Sequence, residues 1–200
     1  NTYIIFFADH GDMMGSQHCY TKNMPYAESV NIPFIVYGPD VASGQIHNLP
    51  ICTEDIFPTT CGLAGITPRN DLEGLDLSAF LRDPQQRPNR DAVVMEQVNE
   101  LRQTQDKLPR IPWRAIRTER YMFTAMQHKP WLLFDMDKDP YQVNNVVNDP
   151  AYAEVREQMI DRLIAHLETV PDQFRFSREG IRKHAPHGPA WEIPWFGTSS

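Results

Sequence analysis

Thr2-Tyr-Ile-Ile-Phe-Phe-Ala-Asp-His-Gly-Asp12 is an apolar run that stops abruptly on an acid, an imidazole and a glycine. β-Branched and aromatic residues without polar alternation suit a strand covered on both faces, as in a parallel α/β sheet. Open α/β sheets place their ligands at the carboxyl ends of such strands, so the position of Asp9 and His10 points to metal or anion chemistry. Asp9 offers a hard oxygen to a divalent cation, and His10 adds a nitrogen ligand or a hydrogen bond. Gly11 lets the backbone turn sharply. Lys22, after a polar loop, returns a compact positive charge suited to a tetrahedral oxyanion. The same residues also suit an ordinary strand terminus followed by a solvated lysine.

Working outward, residues 1 to 85 read as an α/β layer. It holds a strand at 2–8, the loop, a short helix near 26–30, a strand at 33–37, a helix at 53–64 and at most a short helix at 77–81. Thr53 is the expected N-cap of the 53–64 helix, with Glu54 and Asp55 favouring its positive end and Pro58 marking either a kink or a first-turn position. Asp83-Pro-Gln-Gln-Arg-Pro-Asn-Arg90 is a proline-broken linker and marks a boundary. From 86 to 170, strands at 92–98, 113–118, 121–126 and 131–135 joined by short turns predict an antiparallel sheet. Tyr152, Val155, Met159, Ile160, Leu163, Ile164 and Leu167 then recur at helical spacing over 150–169 and give one apolar face to cover it. The stretch from 171 to 200 reads as an extended tail lying on the protein or on a neighbouring subunit in a homo-oligomer, with Trp191 and Trp195 as anchors.

Composition narrows the classes. The chain has 200 residues, 41% hydrophobic and 22% charged, as expected of a globular piece with a substantial core. A formal net charge of −7 argues against a nucleic-acid surface. No apolar run reaches the length of a membrane span. The three cysteines, Cys19, Cys52 and Cys61, form neither a disulfide framework nor a metal-ligand spacing, and Cys52 and Cys61 are expected as buried thiols. Asp135-Met-Asp-Lys-Asp139 imitates the start of an EF-hand loop, but Pro140 and Val146 occupy the glycine and bidentate-acid positions, so it reads as a turn. His184 and His187 are expected to be exposed tail residues, and 99–110 a solvated loop.

Several ordered motifs carry a resemblance. They are Phe6 to Gln17, Lys22, Pro25 to Ser29, Ile32 to Pro39, Thr53 to Ile66, Leu72 to Leu77, Trp113 to Thr118, Tyr121 to Ala125 and Leu133 to Pro140. Together they resemble the second half of type I sulfatases, members of the alkaline-phosphatase-like superfamily, over residues 1 to about 170. The resemblance implies an α/β sulfatase core over 1–85 and a smaller C-terminal antiparallel sheet plus helix subdomain over 86–170. It implies that Asp9 ligates the active-site metal, usually Ca2+, and that His10 takes the neighbouring position, where many members have Asn. An imidazole suits calcium less well than an amide oxygen, which admits Mn2+. Lys22 matches the lysine that grips the sulfate. Gln17, not His18, occupies the register where many members carry a histidine, so His18 is not expected to act as a base.

The family's nucleophile is a cysteine or serine in a Cys/Ser-x-Pro-x-Arg motif, oxidised to formylglycine. None of the cysteines here is followed by that pattern. With Asn1 directly before a strand expected in mid-sheet, the sequence reads as the C-terminal portion of a longer enzyme, inactive and prone to aggregate alone. The implied reaction is hydrolysis of a small-molecule or saccharide sulfate ester by two-step sulfate transfer. The alternatives are a phosphonate monoester or phosphodiester hydrolase of the same superfamily, and a non-catalytic module in which 86–200 binds partners.

Overall fold

The computed structural model describes residues 1–98 and 112–184, with no side chain described at His184. The expected loop at 99–110, and His187, Trp191 and Trp195, lie outside the described residues. The chain divides into two compact units, the first Asn1–Val93 and the second from Val94 onward.

In the first unit, β1 (Ile4–Phe7) pairs with β2 (Phe34–Tyr37) through the register Ile4 to Tyr37 and Phe6 to Ile35. This pair is antiparallel, which corrects the parallel sheet expected from the apolar run. Cover on both faces is also not what is seen. Ile4, Phe6, Ile35 and Tyr37 share one face and are 58 to 69% exposed. Continuous hydrophobicity reports that a strand is destined for burial and carries no information on the direction of its neighbour. Tyr3 at the head of β1 donates its hydroxyl to Asp40 after β2 at 2.5 Å, and Arg82 binds the other Asp40 oxygen at 2.6 Å. Arg82 closes α3 (Ser78–Arg82), so the sheet and the helical layer are joined at one carboxylate.

α1 (Ala27–Val30) and α2 (Ile56–Ala64) fall where the spacing places helices. Thr53 does not cap α2. A 3₁₀ turn at Thr53–Asp55 precedes it, and the cap residue is Cys52, in a reciprocal arrangement with Asp55. The buried Asp55 carboxylate accepts the amides of Cys52 at 3.0 Å and Leu75 at 2.7 Å and also pairs with Arg90. Thr59, fully buried on α2, adds a bond from the Leu77 amide at 3.0 Å. Leu72–Leu77 is thereby tied along α2, which lets Leu77 and Phe80 pack with Leu49 as the local core. Cys61 is buried as expected, and the Cys52 thiol, half-buried beside Asp55, is pushed up to about 12, chiefly by burial.

The second unit is a meander. Strands β3 (Ala92–Gln97), β4 (Trp113–Thr118), β5 (Tyr121–Met126) and β6 (Lys129–Asp135) lie side by side in chain order. The β4–β5 and β5–β6 pairs are antiparallel, as the short turns predicted. α4 (Ala153–Leu167) lies against β4 and β5, burying Met159, Ile160 and Leu163. Residues after Pro171 do not form a wholly extended tail: Phe174 and Phe176 are buried, and α5 (Arg178–His184) follows. Gly180 interrupts its pattern, and polar contacts hold it instead, since Arg178 binds Glu157 and Asp161 on α4. Arg114 explains the inward path of the preceding segment. Its buried guanidinium pairs with both oxygens of Asp172 at 2.6 and 2.8 Å and stacks 4.7 Å from the Phe174 ring centroid. Asp135, expected in a turn, is buried and paired with Arg120 at 2.8 and 3.0 Å, while Asp139 accepts the Val143 and Asn144 amides.

Two outcomes follow in urea unfolding of the full-length protein. Asp55→Ala destabilises by about 2–4 kcal/mol because it strands buried amides and the Arg90 charge, whereas Thr53→Ala changes stability by less than about 0.5 kcal/mol. Asp172→Ala costs about 2–3 kcal/mol because it removes the two-oxygen partner of the buried Arg114 guanidinium and leaves it only the exposed Glu96 carboxylate and backbone carbonyls. The Arg114 bonds hold the Asp172 carboxyl below its ordinary value. Its contribution is therefore complete above the unfolded-state pKa of about 4 and is lost as pH falls through the lower folded value. The Asp172→Ala cost should accordingly shrink as the pH is taken below about 4.

Candidate functional site

β1 ends at Phe7, and the next residues carry the site. The Asp9 side chain is 86% exposed, and its Oδ1 accepts the His10 amide at 3.0 Å. The His10 ring is held at both nitrogens: Nδ1 lies 2.7 Å from the Gly11 carbonyl oxygen and Nε2 lies 2.6 Å from Lys22 Nζ. A carbonyl oxygen only accepts and an ammonium only donates, so this network assigns the proton to Nδ1 and the lone pair to Nε2. Asp9 Oδ2 stands 3.4 Å from that same Nε2. This contact is an ion pair only with an imidazolium ring, which the Lys22 contact opposes. It therefore sets two electron-pair donors side by side with the lysine charge above them.

The loop that returns Lys22 is a compact knot. Met13 is buried and its amide donates to the Thr21 carbonyl at 2.6 Å, closing the knot at its base. Inside it the Gly15 amide reaches Cys19, and a 3₁₀ turn spans Ser16–His18. Met14, Gly15, Gln17, His18, Thr21 and Asn23 all have left-handed φ. Such a concentration of costly backbone is typical of sites whose geometry is imposed by their surroundings. Gly11 is required by space. Its amide donates to Ser29 at 2.8 Å, and a Cβ there would stand 2.0 Å from the Glu28 carbonyl oxygen. Beneath the loop the Tyr26 phenol is pushed up to about 12, by burial first and then by the charges of Cys19 and Glu28.

The structure thus brings Asp9, His10 and Lys22 together. Sequence reading missed Ser16 and Glu28, joined by a 2.5 Å hydrogen bond, because a serine in a polar loop and an acid on a short helix carry no pattern of their own. Among the described residues, no group of three or more His, Cys, Asp and Glu side chains is placed to hold a metal ion. The Asp9 carboxylate and the His10 lone pair do fit as part of a divalent-cation donor set, being adjacent and convergent. Two donors fall short of the four to eight that such ions take.

The family described as "N-sulphoglucosamine sulphohydrolase, C-terminal" matches residues 15–169. The chain is 32% identical to an ulvan-active sulfatase of Formosa agariphila over 96% of its length. It belongs to the sulfatase family. It is likewise 32% identical to a Δ4,5-hexuronate-2-O-sulfatase of Bacteroides thetaiotaomicron over 97% of its length. It spans 39% and 41% of these two relatives. Among solved structures, a 2-O GAG sulfatase aligns with a TM-score of 0.74 at 31% identity, over 84% of this chain and 36% of that one. A phosphonate monoester hydrolase of Agrobacterium radiobacter aligns at 0.68 and 30%, over 86% and 36%. The mixed α/β architecture is therefore that of the C-terminal part of a sulfatase. Sulfatase membership suggests a divalent metal. Among the described residues no helix is long and apolar enough to cross a membrane.

In this sulfatase chain, Gly11→Ala should lower stability by at least about 2 kcal/mol in thermal unfolding, because backbone and not a flexible side chain meets the added carbon. An unchanged midpoint would mean that Gly11 and Glu28 are not in contact.

Proposed function

We propose that this chain contributes the Asp9, His10 and Lys22 part of a sulfate-ester hydrolase site in the full-length protein. The observation that supports it is the convergence on His10 Nε2, at the end of β1, of the Lys22 ammonium at 2.6 Å and an Asp9 carboxylate oxygen at 3.4 Å. In this reading residues 1–85 belong to the catalytic core and 86–170 to a smaller subdomain. The exposed face of Ile4, Phe6, Ile35 and Tyr37 is covered by polypeptide outside this chain, and the segment from 171 serves any contact between subunits.

Asp9 and His10 would hold the cation, Ca2+ by family resemblance, with Mn2+ as the ion better matched to the imidazole nitrogen. When bound, the cation supplies positive charge to the ester oxygens. The formylglycine nucleophile belongs to the part of the family's site that these residues do not supply. Asp9 keeps net charge balanced near the ion. The Gly11 carbonyl holds the proton of the neutral His10 ring on Nδ1, so that Nε2 carries the lone pair. Lys22 trades its contact with Nε2 for an oxygen of the arriving sulfate, and its charge grows in value as negative charge moves onto the leaving oxygen. Saccharide sulfates are the substrate class favoured by the ulvan-active and hexuronate-2-O relatives.

A phosphonate monoester or phosphodiester hydrolase is the second reading. The Agrobacterium neighbour at 30% identity and the nitrogen donor of His10 both favour it.

In the full-length protein, Lys22→Ala is expected to lower kcat/KM for a sulfate ester by about 100-fold or more. Asp9→Ala should abolish metal-dependent turnover and remove divalent-cation binding in calorimetry. Turnover at the wild-type rate in either variant overturns the assignment. A higher kcat/KM for a phosphonate monoester than for the matched sulfate ester decides for the second reading, and no cation binding by the unaltered protein decides for a non-catalytic module.

A further inference from the structure

The loop that delivers Lys22 is held to its surroundings by a residue that no part of the reaction described above uses. Its internal bonds, Met13 to Thr21, Ser16 to Met13, Gly15 to Cys19 and Cys19 to Ser16, close the loop on itself. They leave its height above His10 undetermined. A non-glycine residue in left-handed conformation costs on the order of 1 kcal/mol, and Met14, Gln17, His18, Thr21 and Asn23 all adopt it. A segment under that strain relaxes unless something outside it holds the conformation.

α1 provides that hold at two points. The Gly11 amide donates to the Ser29 carbonyl at 2.8 Å, which fixes the chain where it leaves His10. The Ser16 hydroxyl donates to Glu28 Oε1 at 2.5 Å, which fixes the knot before it reaches Lys22. A single helical turn therefore touches the path from His10 to Lys22 at two places, before the knot and within it. Gly11 packs against the Glu28 carbonyl so closely that a Cβ would stand 2.0 Å away, so the chain lies against α1 backbone at this point.

The carboxylate itself is informative. Glu28 Oε2 is buried and has no hydrogen-bond partner in the structure. A buried acceptor left without a donor costs about 1–3 kcal/mol, and more when charged. A side chain serving stability alone would avoid that cost. The other oxygen makes a short, charge-assisted bond to Ser16, of the strong and directional kind that fixes position.

We propose that Glu28 is a positioning residue of the site. Through Ser16 it sets the seating of the 13–21 knot and so keeps the Lys22 ammonium over the anion that Asp9 and His10 face. This rests on the reading of Lys22 as the group that holds the sulfate. Glu28 touches neither cation nor ester; it acts through Lys22, and removing Lys22 removes its purpose.

The test is a double-variant cycle in the full-length protein with 4-nitrophenyl sulfate as the probe. Glu28→Ala is expected to lower kcat roughly 10- to 100-fold, the usual consequence of misplacing a catalytic group by a fraction of its reach, with KM changed less than about threefold. Ser16→Ala should do the same, and it preserves the test if Glu28→Ala does not fold. Glu28→Gln keeps an acceptor oxygen for Ser16 and should restore kcat to within about fivefold. In a Lys22→Ala background, Glu28→Ala should cost less than about twofold, because the two residues act as one unit. Losses that multiply in the double variant, or a Glu28→Gln protein as impaired as Glu28→Ala, overturn the positioning role while leaving Lys22 in place. Wild-type turnover in Lys22→Ala overturns the reading of Lys22 and the role of Glu28 with it.

Discussion

The contact on which the candidate site depends is the one between Lys22 Nζ and His10 Nε2, at 2.6 Å. It exists only while the imidazole is neutral and carries its proton on Nδ1, and the Gly11 carbonyl at 2.7 Å enforces that tautomer. The arrangement puts a lone pair, a carboxylate and a cation in one small volume without neutralising any of them completely. In the proposed reading, an incoming divalent ion would meet two convergent donors, and an incoming anion would meet an ammonium group whose present partner is a neutral ring, easier to leave than a carboxylate would be. Lys22 is thus held in place without being committed.

Elsewhere buried carboxylates meet guanidinium groups directly. Asp55 with Arg90, Asp135 with Arg120 and Asp172 with Arg114 each place a nearly buried acid against an arginine. Each joins segments remote in sequence: the linker to the start of α2, the β4–β5 turn to the end of β6, and the segment after α4 to β4. Such pairs contribute more to specifying which segments meet than to net stability, since desolvation offsets much of their attraction. The contrast with the site is physical. The structural acids are saturated by an arginine together with amides or, at Asp135, the Tyr152 hydroxyl, whereas the Asp9 side chain is left open to solvent.

Much of this was legible. Strands 113–118 and 121–126 coincide with the observed β4 and β5 because apolar runs ended in short polar turns with little room for error in register. α4 followed from its 3.6-residue spacing, a signal that a fifteen-residue helix repeats several times. What was not legible depended on partners far along the chain. β1 is apolar on both faces, and such a strand reads the same whether its neighbour runs parallel or antiparallel. Thr53 had the chemistry of an N-cap, but Asp55 could also reach Leu75, and that long-range bond decided the turn. α5 lacks an apolar stripe, so its anchoring through Arg178 was invisible. At the site, Asp9, His10 and Lys22 were readable because family motifs order them. Ser16 and Glu28 were not, because their importance lies in a loop conformation that only the coordinates reveal.

The most direct measurement is a crystal structure of the full-length protein soaked with Mn2+ and sulfate, with the metal located by its anomalous scattering. The account predicts a single peak within about 2.0–2.6 Å of both an Asp9 oxygen and His10 Nε2, with Lys22 Nζ moved onto an oxygen of a sulfate at the same ion. A metal bound away from Asp9 and His10, or a sulfate on the metal with Lys22 turned into solvent, would contradict it.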